Sequence, residues 1–164
     1  MKTKELTLTS VLLALTFVIT RFIQIPIPLG YFNIGNSVIL TGCVFLPQPF
    51  GIIAGSLGSA LADLTSYPMY TIPTLIIKAL MPWTFYAFQK LSIKNNYLKD
   101  VLACAVATLI PLFGYTITGG ILYGSIYTGL AQFPGLFLEY VANLVLFSVV
   151  LGALKQVNIQ KITA

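Results

Sequence analysis

The sequence contains no histidine and few charged residues, and each shortage excludes a class of function. Only 8% of the 164 residues are charged and 57% are hydrophobic, whereas a soluble domain carries about 25% charged residues. Without histidine, neither a Ser-His-Asp arrangement nor an H-E-x-x-H zinc motif is possible. The chain also lacks a G-x-x-x-x-G-K-[ST] loop for ATP phosphates. We therefore expect a membrane protein that is not an enzyme and that uses no catalytic residue, cofactor or metal.

Cysteine is scarce as well, and the basic residues do not gather in a patch. Cys43 and Cys104 lie in apolar runs without metal-ligand spacing, and we interpret them as packing residues. The net charge of +5 comes from residues at helix ends, which argues against nucleic acid as a partner and favours a lipid bilayer. The N-terminal apolar run continues past Arg21, so we interpret it as a retained helix rather than a signal peptide.

Six apolar segments predict an all-α membrane protein, with six transmembrane helices forming one compact domain over residues 1–164. The first, fourth, fifth and sixth are long enough to cross a hydrocarbon core of about 30 Å. The second and third are short, flank the break Pro47-Gln48-Pro49, and either cross or form a re-entrant hairpin. The predicted segments are 6–25, 35–47, 50–64, 72–92, 98–122 and 134–155.

The distribution of lysines predicts the orientation of these helices. The loops around 26–34, 65–71 and 123–133 contain neither Lys nor Arg. Because positive residues favour the cytoplasmic side, we expect both termini in the cytoplasm and a multi-pass protein of a bacterial plasma membrane. The lysines on that side are Lys2, Lys4, Lys90, Lys94, Lys99, Lys155 and Lys161.

Four ionisable residues lie inside apolar stretches, namely Arg21, Asp63, Lys78 and Glu139. A charge in the bilayer core costs several kcal/mol, so such residues usually face a protein interior or a wet cavity. The predicted orientation brings all four towards the outer side, with Lys78 about 9 Å below the start of its helix. Two interpretations remain open: a polar pocket that opens outwards, or two structural ion pairs between helices.

The outer loops are rich in tyrosine. Seven of the nine tyrosines fall in the predicted outer half, at positions 31, 67, 70, 115, 123, 127 and 140. Tyrosines at this level form either an aromatic belt at the membrane interface or the walls of a pocket for a flat ligand.

Small residues recur at helical spacing. Gly58-x-x-x-Ala62, beside Gly51, Gly55 and Ser59, predicts close packing of the third helix within the chain. Ser10-x-x-x-Ala14 on the first helix either packs internally or offers a groove to a partner's helix. The glycines at 119, 120 and 124 predict that the fifth helix loosens or ends there.

The run GIIAGSLGSALADLTSYPMYTIPTLIIKAL (51–80), together with FNIGNSVIL (32–40), resembles the substrate-binding S components of energy-coupling factor (ECF) vitamin transporters. The resemblance implies a subunit that binds a vitamin from outside and docks onto a transmembrane coupling subunit joined to two ATPases. It also implies a docking motif on the first helix, here Ser10 and Ala14, where Ser replaces the family's first Ala. Within the family, the segment is most similar to the group for hydroxymethylpyrimidine or pyridoxine.

These observations together predict a set of ligand contacts. We expect Arg21 and Asp63 to be structural, fixing the outer ends of the first and third helices. Two other classes remain open, an autonomous small-solute secondary transporter or channel and a structural or assembly membrane protein. The predicted ligand contacts are Asn33, Asn36, Tyr67, Lys78, Tyr115, Gln132, Glu139 and Asn143.

Overall fold

The structure, a computed structural model, describes residues 3–27 and 30–156. Lys2 and Lys161, two of the lysines behind the predicted orientation, lie outside these ranges, as do Pro28 and Leu29 of the first outer loop. The described residues form α1 (Thr3–Phe22), β1 (Ile25–Ile27), β2 (Gly30–Phe32), α2 (Gly35–Phe45), α3 (Phe50–Ser66), a 3₁₀ turn (Pro68–Tyr70), α4 (Thr71–Gln89), α5 (Asn96–Leu122) and α6 (Ile126–Gln156).

Three described helices, α1, α5 and α6, are long and apolar enough to cross a membrane. The helix α4 has 19 residues but carries Lys78 and is not among these three. The helices α2 and α3 are apolar and shorter, with 11 and 17 residues. The residues that the structure describes are thus mostly helical and form six α-helices in the predicted order.

The sixth helix begins earlier than its sequence predicts. Pro134 marked the expected start, because proline favours the first turn of a helix, but it lies inside α6. The chain turns instead at Gly124, which adopts a positive φ of 71°, and such a conformation favours glycine. The helix α5 runs through Gly119 and Gly120 and ends at Leu122, so only Gly124 lies in the break.

A short β-hairpin, which the sequence did not predict, joins α1 to α2. Its two strands pair antiparallel, with Ile25 opposite Phe32 and Ile27 opposite Gly30. The Gln24 side chain anchors the end of α1 nearby, where its Nε2 donates to the Thr20 carbonyl (2.9 Å) and the Ser66 hydroxyl (3.2 Å). The hairpin therefore begins where the C-terminal ends of α1 and α3 are joined.

The helices pack so that α3 lies between α1 and α4, and α5 lies between α4 and α6. The helix α2 contacts α1 and α6 and also touches α3 and α4. Four helices share an apolar core, to which α4 contributes Met81 and Phe85 and α6 contributes Phe147 and Leu151. The Phe85 and Phe147 rings meet edge to face with their centroids 6.0 Å apart, a favoured aromatic geometry.

Glycines on α3 allow its neighbours to approach closely, as their spacing predicted. A Cβ at Gly58 would lie 2.8 Å from the Leu13 carbonyl oxygen of α1, and a Cβ at Gly55 would lie 2.6 Å from Ile39 of α2. Neither position tolerates a side chain without a shift of its neighbours. This close packing brings the C-terminal halves of α1 and α3 together in one wall.

A polar cluster at the opposite end of the bundle ties three helix ends together. Asp100, near the start of α5, forms an ion pair of 2.9 Å with Lys155 of α6. Its other carboxylate oxygen accepts from Gln89 of α4 at 3.1 Å. Asp100 is buried, yet the sequence had not singled it out, because it lies next to the lysine-rich segment between α4 and α5.

Candidate functional site

The main polar cavity lies at the hairpin end of the bundle, between the helices and the β-hairpin. Its volume is about 460 Å³ including the open mouth. The described lining residues are Thr20, Ile27, Gly30, Tyr31, Asn33, Ser59, Asp63, Tyr67, Tyr70, Thr74, Lys78, Tyr115, Gln132, Leu136 and Glu139.

An amide joins the buried base and acid at the floor of the cavity. The Lys78 ammonium donates to Asn36 Oδ1, and Asn36 Nδ2 donates to Glu139 Oε1 at 3.0 Å. All three side chains are buried, with 2%, 1% and 4% exposure. In the described part of the chain no direct ion pair joins the four predicted intramembrane charges. The network therefore holds opposite charges apart at fixed positions instead of pairing them.

Asn143 supports this floor from behind. Its Nδ2 donates to the carbonyl oxygens of Asn33 and Glu139 (2.9 Å each), and its Oδ1 accepts from the Ser37 amide at 2.8 Å. The first amides of a helix have no partner within that helix. Asn143 supplies one partner at the start of α2, and Asn33 Oδ1 supplies another to Gly35 at 2.7 Å. The start of α2 is thereby fixed against α6.

Asp63 forms a second polar centre, where its carboxylate accepts hydrogen bonds from two hydroxyl groups. The Tyr31 hydroxyl donates to one carboxylate oxygen and the Thr74 hydroxyl to the other. The Thr74 hydroxyl also lies 3.0 Å from the Tyr115 hydroxyl. Burial and the adjacent Asp63 carboxylate raise the pKa of Tyr31, so this hydroxyl stays protonated and donates. Asp63 thus ties the hairpin, α3 and α4 together at the cavity wall.

Tyrosine rings line the cavity in two pairs. The centroids of Tyr31 and Tyr67 lie 5.3 Å apart, and those of Tyr70 and Tyr115 lie 6.2 Å apart. The Lys78 ammonium lies 5.6 Å from the centroid of the Tyr115 ring, within the range of a cation–π interaction. Tyr127, by contrast, is 81% exposed, so the tyrosines that we predicted in the outer half divide between the cavity and the protein surface.

Gln132 closes the α6 side of the cavity. It is buried, with 2% exposure, and its Nε2 donates to the Tyr70 hydroxyl at 3.2 Å. A Cβ at Gly119 of α5 would overlap this amide group. The glycine therefore leaves the space that the Gln132 side chain occupies.

Gly119→Ala should displace Gln132 and weaken solute binding by about three- to tenfold, the effect of one lost neutral hydrogen bond. Stability should change little, because the end of a flexible side chain moves easily. Gly120→Ala is the matched control, since its Cβ would meet Ile126 Cα at 3.6 Å, an ordinary contact. Ligand titration of both variants checks the prediction, and equal affinities would contradict it.

Six of the eight predicted ligand contacts line the cavity, and the remaining two lie beside it. Asn36 faces a smaller neighbouring cavity that shares Tyr115 and Glu139. Asn143, with 0% exposure, makes its hydrogen bonds to backbone groups and to no other side chain. Those lining the cavity are Asn33, Tyr67, Lys78, Tyr115, Gln132 and Glu139.

Three of the four predicted intramembrane charges, Asp63, Lys78 and Glu139, line the cavity. The expected structural role of Asp63 stays a prediction, and its bonds to Tyr31 and Thr74 are consistent with it. Arg21 is half-buried, is not among the described lining residues, and lies with its guanidinium 5.8 Å from the Phe22 ring. The predicted ligand contacts did not include five other residues that line the cavity, namely Thr20, Tyr31, Ser59, Tyr70 and Thr74. The outer tyrosine cluster was a signal for Tyr31 and Tyr70, whereas Thr20 and Ser59 reach the cavity only through the packing of α1 on α3.

The predicted docking residues lie away from this cavity. Ser10 and Ala14 are both exposed on α1, and the Ser10 hydroxyl donates to the Leu6 carbonyl at 3.0 Å. Exposed apolar residues, Val11 (59%), Leu15 (46%) and Val18 (47%), extend the same region of the helix. Ser10 and Ala14 therefore belong to an apolar surface that no other described part of the chain covers.

A bundle of apolar helices around a polar, tyrosine-walled cavity defines a membrane-embedded binding protein. Residues 1–158 match the family model described as "ECF-type riboflavin transporter, S component", and the chain belongs to this family. Proteins of this class are the substrate-binding subunits of ECF transporters and act with transmembrane and ATPase subunits.

Two similar proteins accompany this match. A solved structure, described as "Structure and mechanism of the S component of a bacterial ECF transporter", superposes with a TM-score of 0.71 and 18% identity. The match covers 93% of this chain and 96% of the other, and shows a shared fold. An uncharacterised protein of Pyrococcus woesei, from the gap 3′ region, is 34% identical over 109 residues, which cover 65% of this chain and 72% of the relative.

Proposed function

We propose that this chain binds a small heteroaromatic vitamin or precursor, of the pyridoxine or hydroxymethylpyrimidine type, from outside the cell. It acts as a single multi-pass domain of the cell membrane with both termini in the cytoplasm, and it has no catalytic activity. A transmembrane coupling subunit with two ATPases drives import. The observation that carries the proposal is the Lys78–Asn36–Glu139 network beneath tyrosine walls.

The charges around the cavity favour a neutral or weakly basic solute. The ionisable groups among the described lining residues, tyrosines aside, are two acids, Asp63 and Glu139, and one base, Lys78. An anionic solute would meet an excess of negative charge in a region of low dielectric constant, where such repulsion is costly. A ring nitrogen and hydroxyl groups suit these partners instead, because Glu139 accepts hydrogen bonds and Lys78 donates them.

The size of the cavity favours a single ring. Riboflavin, which the family model names, has three fused rings and a ribityl chain, whereas pyridoxine has fewer than half as many non-hydrogen atoms. The cavity is narrow between its tyrosine walls, so a single ring needs less widening of the cavity than a three-ring ligand does. Riboflavin is the second candidate because of the family match.

Titration of the purified protein with pyridoxine, hydroxymethylpyrimidine and riboflavin tests the proposal. We expect sub-micromolar affinity for one of the single-ring compounds. Glu139→Gln should weaken that affinity about tenfold or more, because it replaces a charged hydrogen-bond acceptor with a neutral one. Asn143→Ala should weaken it too, because it releases the start of α2.

Asp100→Asn is the matched control, since it alters a buried carboxylate at the opposite end of the bundle. Its affinity should equal that of the wild type. Tight binding of riboflavin, without binding of either single-ring compound, would identify riboflavin as the ligand instead. Absence of binding to all three would refute it.

A further inference from the structure

One wall of the cavity is formed by α1 and α3, through Thr20, Ser59 and Asp63. Ser59 and Asp63 are four residues apart on α3 and therefore share one face of the helix. This wall exists because Gly58 allows α3 to approach the Leu13 carbonyl of α1 closely. The Lys78 and Glu139 side chains, in contrast, reach the cavity from α4 and α6.

Ser59 is fully buried, with 0% exposure, and its hydroxyl has no hydrogen-bond partner among the described residues. Serines and threonines inside helices usually donate to a carbonyl four residues earlier. Ser56, on the same helix, does so to Ile52 at 2.7 Å. Leaving a buried hydroxyl without a partner destabilises a protein, so Ser59 is an exception that calls for a physical reason.

The position of Ser59 supplies that reason. The Thr16 and Thr71 hydroxyls are also buried without a partner, but neither residue lines the cavity, whereas Ser59 does. Both oxygens of neighbouring Asp63 already accept from Tyr31 and Thr74. The Ser59 hydroxyl, one helical turn from Asp63, therefore has no partner among the described residues and can both donate and accept a hydrogen bond.

We infer that Ser59 binds a hydroxyl group of the solute, on a different edge from the one that meets Lys78 and Glu139. This rests on the proposed function and narrows the ligand class. The solute carries polar groups on two separate edges, one of which is a hydroxyl or hydroxymethyl group. A solute with polar atoms on one edge only would leave Ser59 unpaired in the complex and would bind more weakly.

The test compares solutes that differ by one hydroxyl. Wild type and Ser59→Ala are titrated with pyridoxine, 4-deoxypyridoxine and 5-deoxypyridoxine, and with hydroxymethylpyrimidine and its analogue in which a methyl group replaces the hydroxymethyl group. We expect the wild type to bind the fully hydroxylated member of a series about three- to tenfold more tightly than one deoxy analogue, the range of one neutral hydrogen bond. Ser59→Ala should lose this preference and bind both members with the weaker affinity.

Ser56→Ala is the matched control and should keep the wild-type preference, because its hydroxyl serves its own helix. The melting temperature of ligand-free Ser59→Ala should equal or exceed that of the wild type, since the change removes an unpaired buried hydroxyl. Suppose that the wild type binds these compounds. If Ser59→Ala then keeps the wild-type preference, or binds every compound more weakly by the same factor, the inference about Ser59 is overturned and the proposed function stands. Failure of the wild type to bind any of these compounds would overturn the proposed function together with it.

Discussion

Lys78→Met should weaken solute binding by about tenfold to a hundredfold, and Glu139→Gln in the same chain should not restore it. A hydrogen bond to a charged group contributes about 1.5–3 kcal/mol, and each 1.4 kcal/mol corresponds to a factor of ten in affinity. Methionine is close to lysine in length and apolar, so it fills the same space without the ammonium group. Titration calorimetry with the preferred solute of the wild type measures the loss.

The same variants separate a binding role from a purely structural one. Lys78→Met alone leaves the Asn36 carbonyl without its donor and should lower the free energy of unfolding by about 1–3 kcal/mol. Adding Glu139→Gln removes the buried carboxylate that Asn36 links to Lys78 and should recover part of this stability. If the charges only hold helices together, the double variant would keep full solute affinity along with its stability.

Lys155→Met is the matched control for this experiment. It removes a lysine from the Asp100 ion pair at the opposite end of the bundle and should leave solute affinity unchanged. Equal losses of affinity in Lys78→Met and Lys155→Met would show that binding responds to general destabilisation, and would contradict a contact between Lys78 and the solute.

The helical part of the fold follows from the sequence because each apolar run is bounded by polar or turn-forming residues. Asn95 illustrates this, since its side chain accepts from the Tyr97 and Leu98 amides and starts α5. The hairpin was not predicted, because strands of three residues are too short to show an alternating pattern. The predicted start of α6 at Pro134 was wrong. Proline is favoured in the first turn of a helix and disfavoured in its interior, but α6 continues through Pro134.

The charged part of the site was predictable for a different reason. A lone Lys78 or Glu139 in an apolar run is costly in a bilayer and so signals a polar interior from sequence alone. Thr20 and Ser59 give no such signal, since hydroxyl groups are common in helices. Their place at the cavity depends on how closely α1 and α3 pack, which is a property of the tertiary structure.

The distribution of polarity along the bundle determines how a solute can leave. Beyond Lys78, the side chains that α4 buries are apolar except for Tyr86, whose hydroxyl is occupied by the Leu46 carbonyl. Met81 and Phe85 pack in the core with Phe147. A polar solute passing through this core would lose its hydrogen bonds without replacement, at a cost of several kcal/mol. Release at the opposite end of the bundle therefore requires a movement that reorients the subunit or separates its helices. Under the proposed function, the coupling subunit drives this movement.

Ala14→Trp should abolish uptake while leaving solute affinity within about twofold of the wild type. Ala14 is exposed on α1 and is not among the described residues that line the cavity. Small residues spaced by four let helix backbones approach closely in a membrane, and an indole ring at such a position prevents the approach. Solute uptake is measured in vesicles that contain the coupling and ATPase subunits, and binding is measured with the purified variant. Ser10→Trp, one helical turn away, should behave in the same way.

Leu109→Trp is the matched control, because Leu109 is exposed in the middle of α5 and the change adds the same indole ring to a different helix. Uptake by this variant should equal that of the wild type. Uptake in vesicles that contain the chain alone would favour an autonomous transporter, and in that case Ala14→Trp should have no effect. If both α1 variants retain full uptake with the partner subunits present, then the surface around Ser10 and Ala14 does not contact the coupling subunit, and another exposed face must transmit the movement.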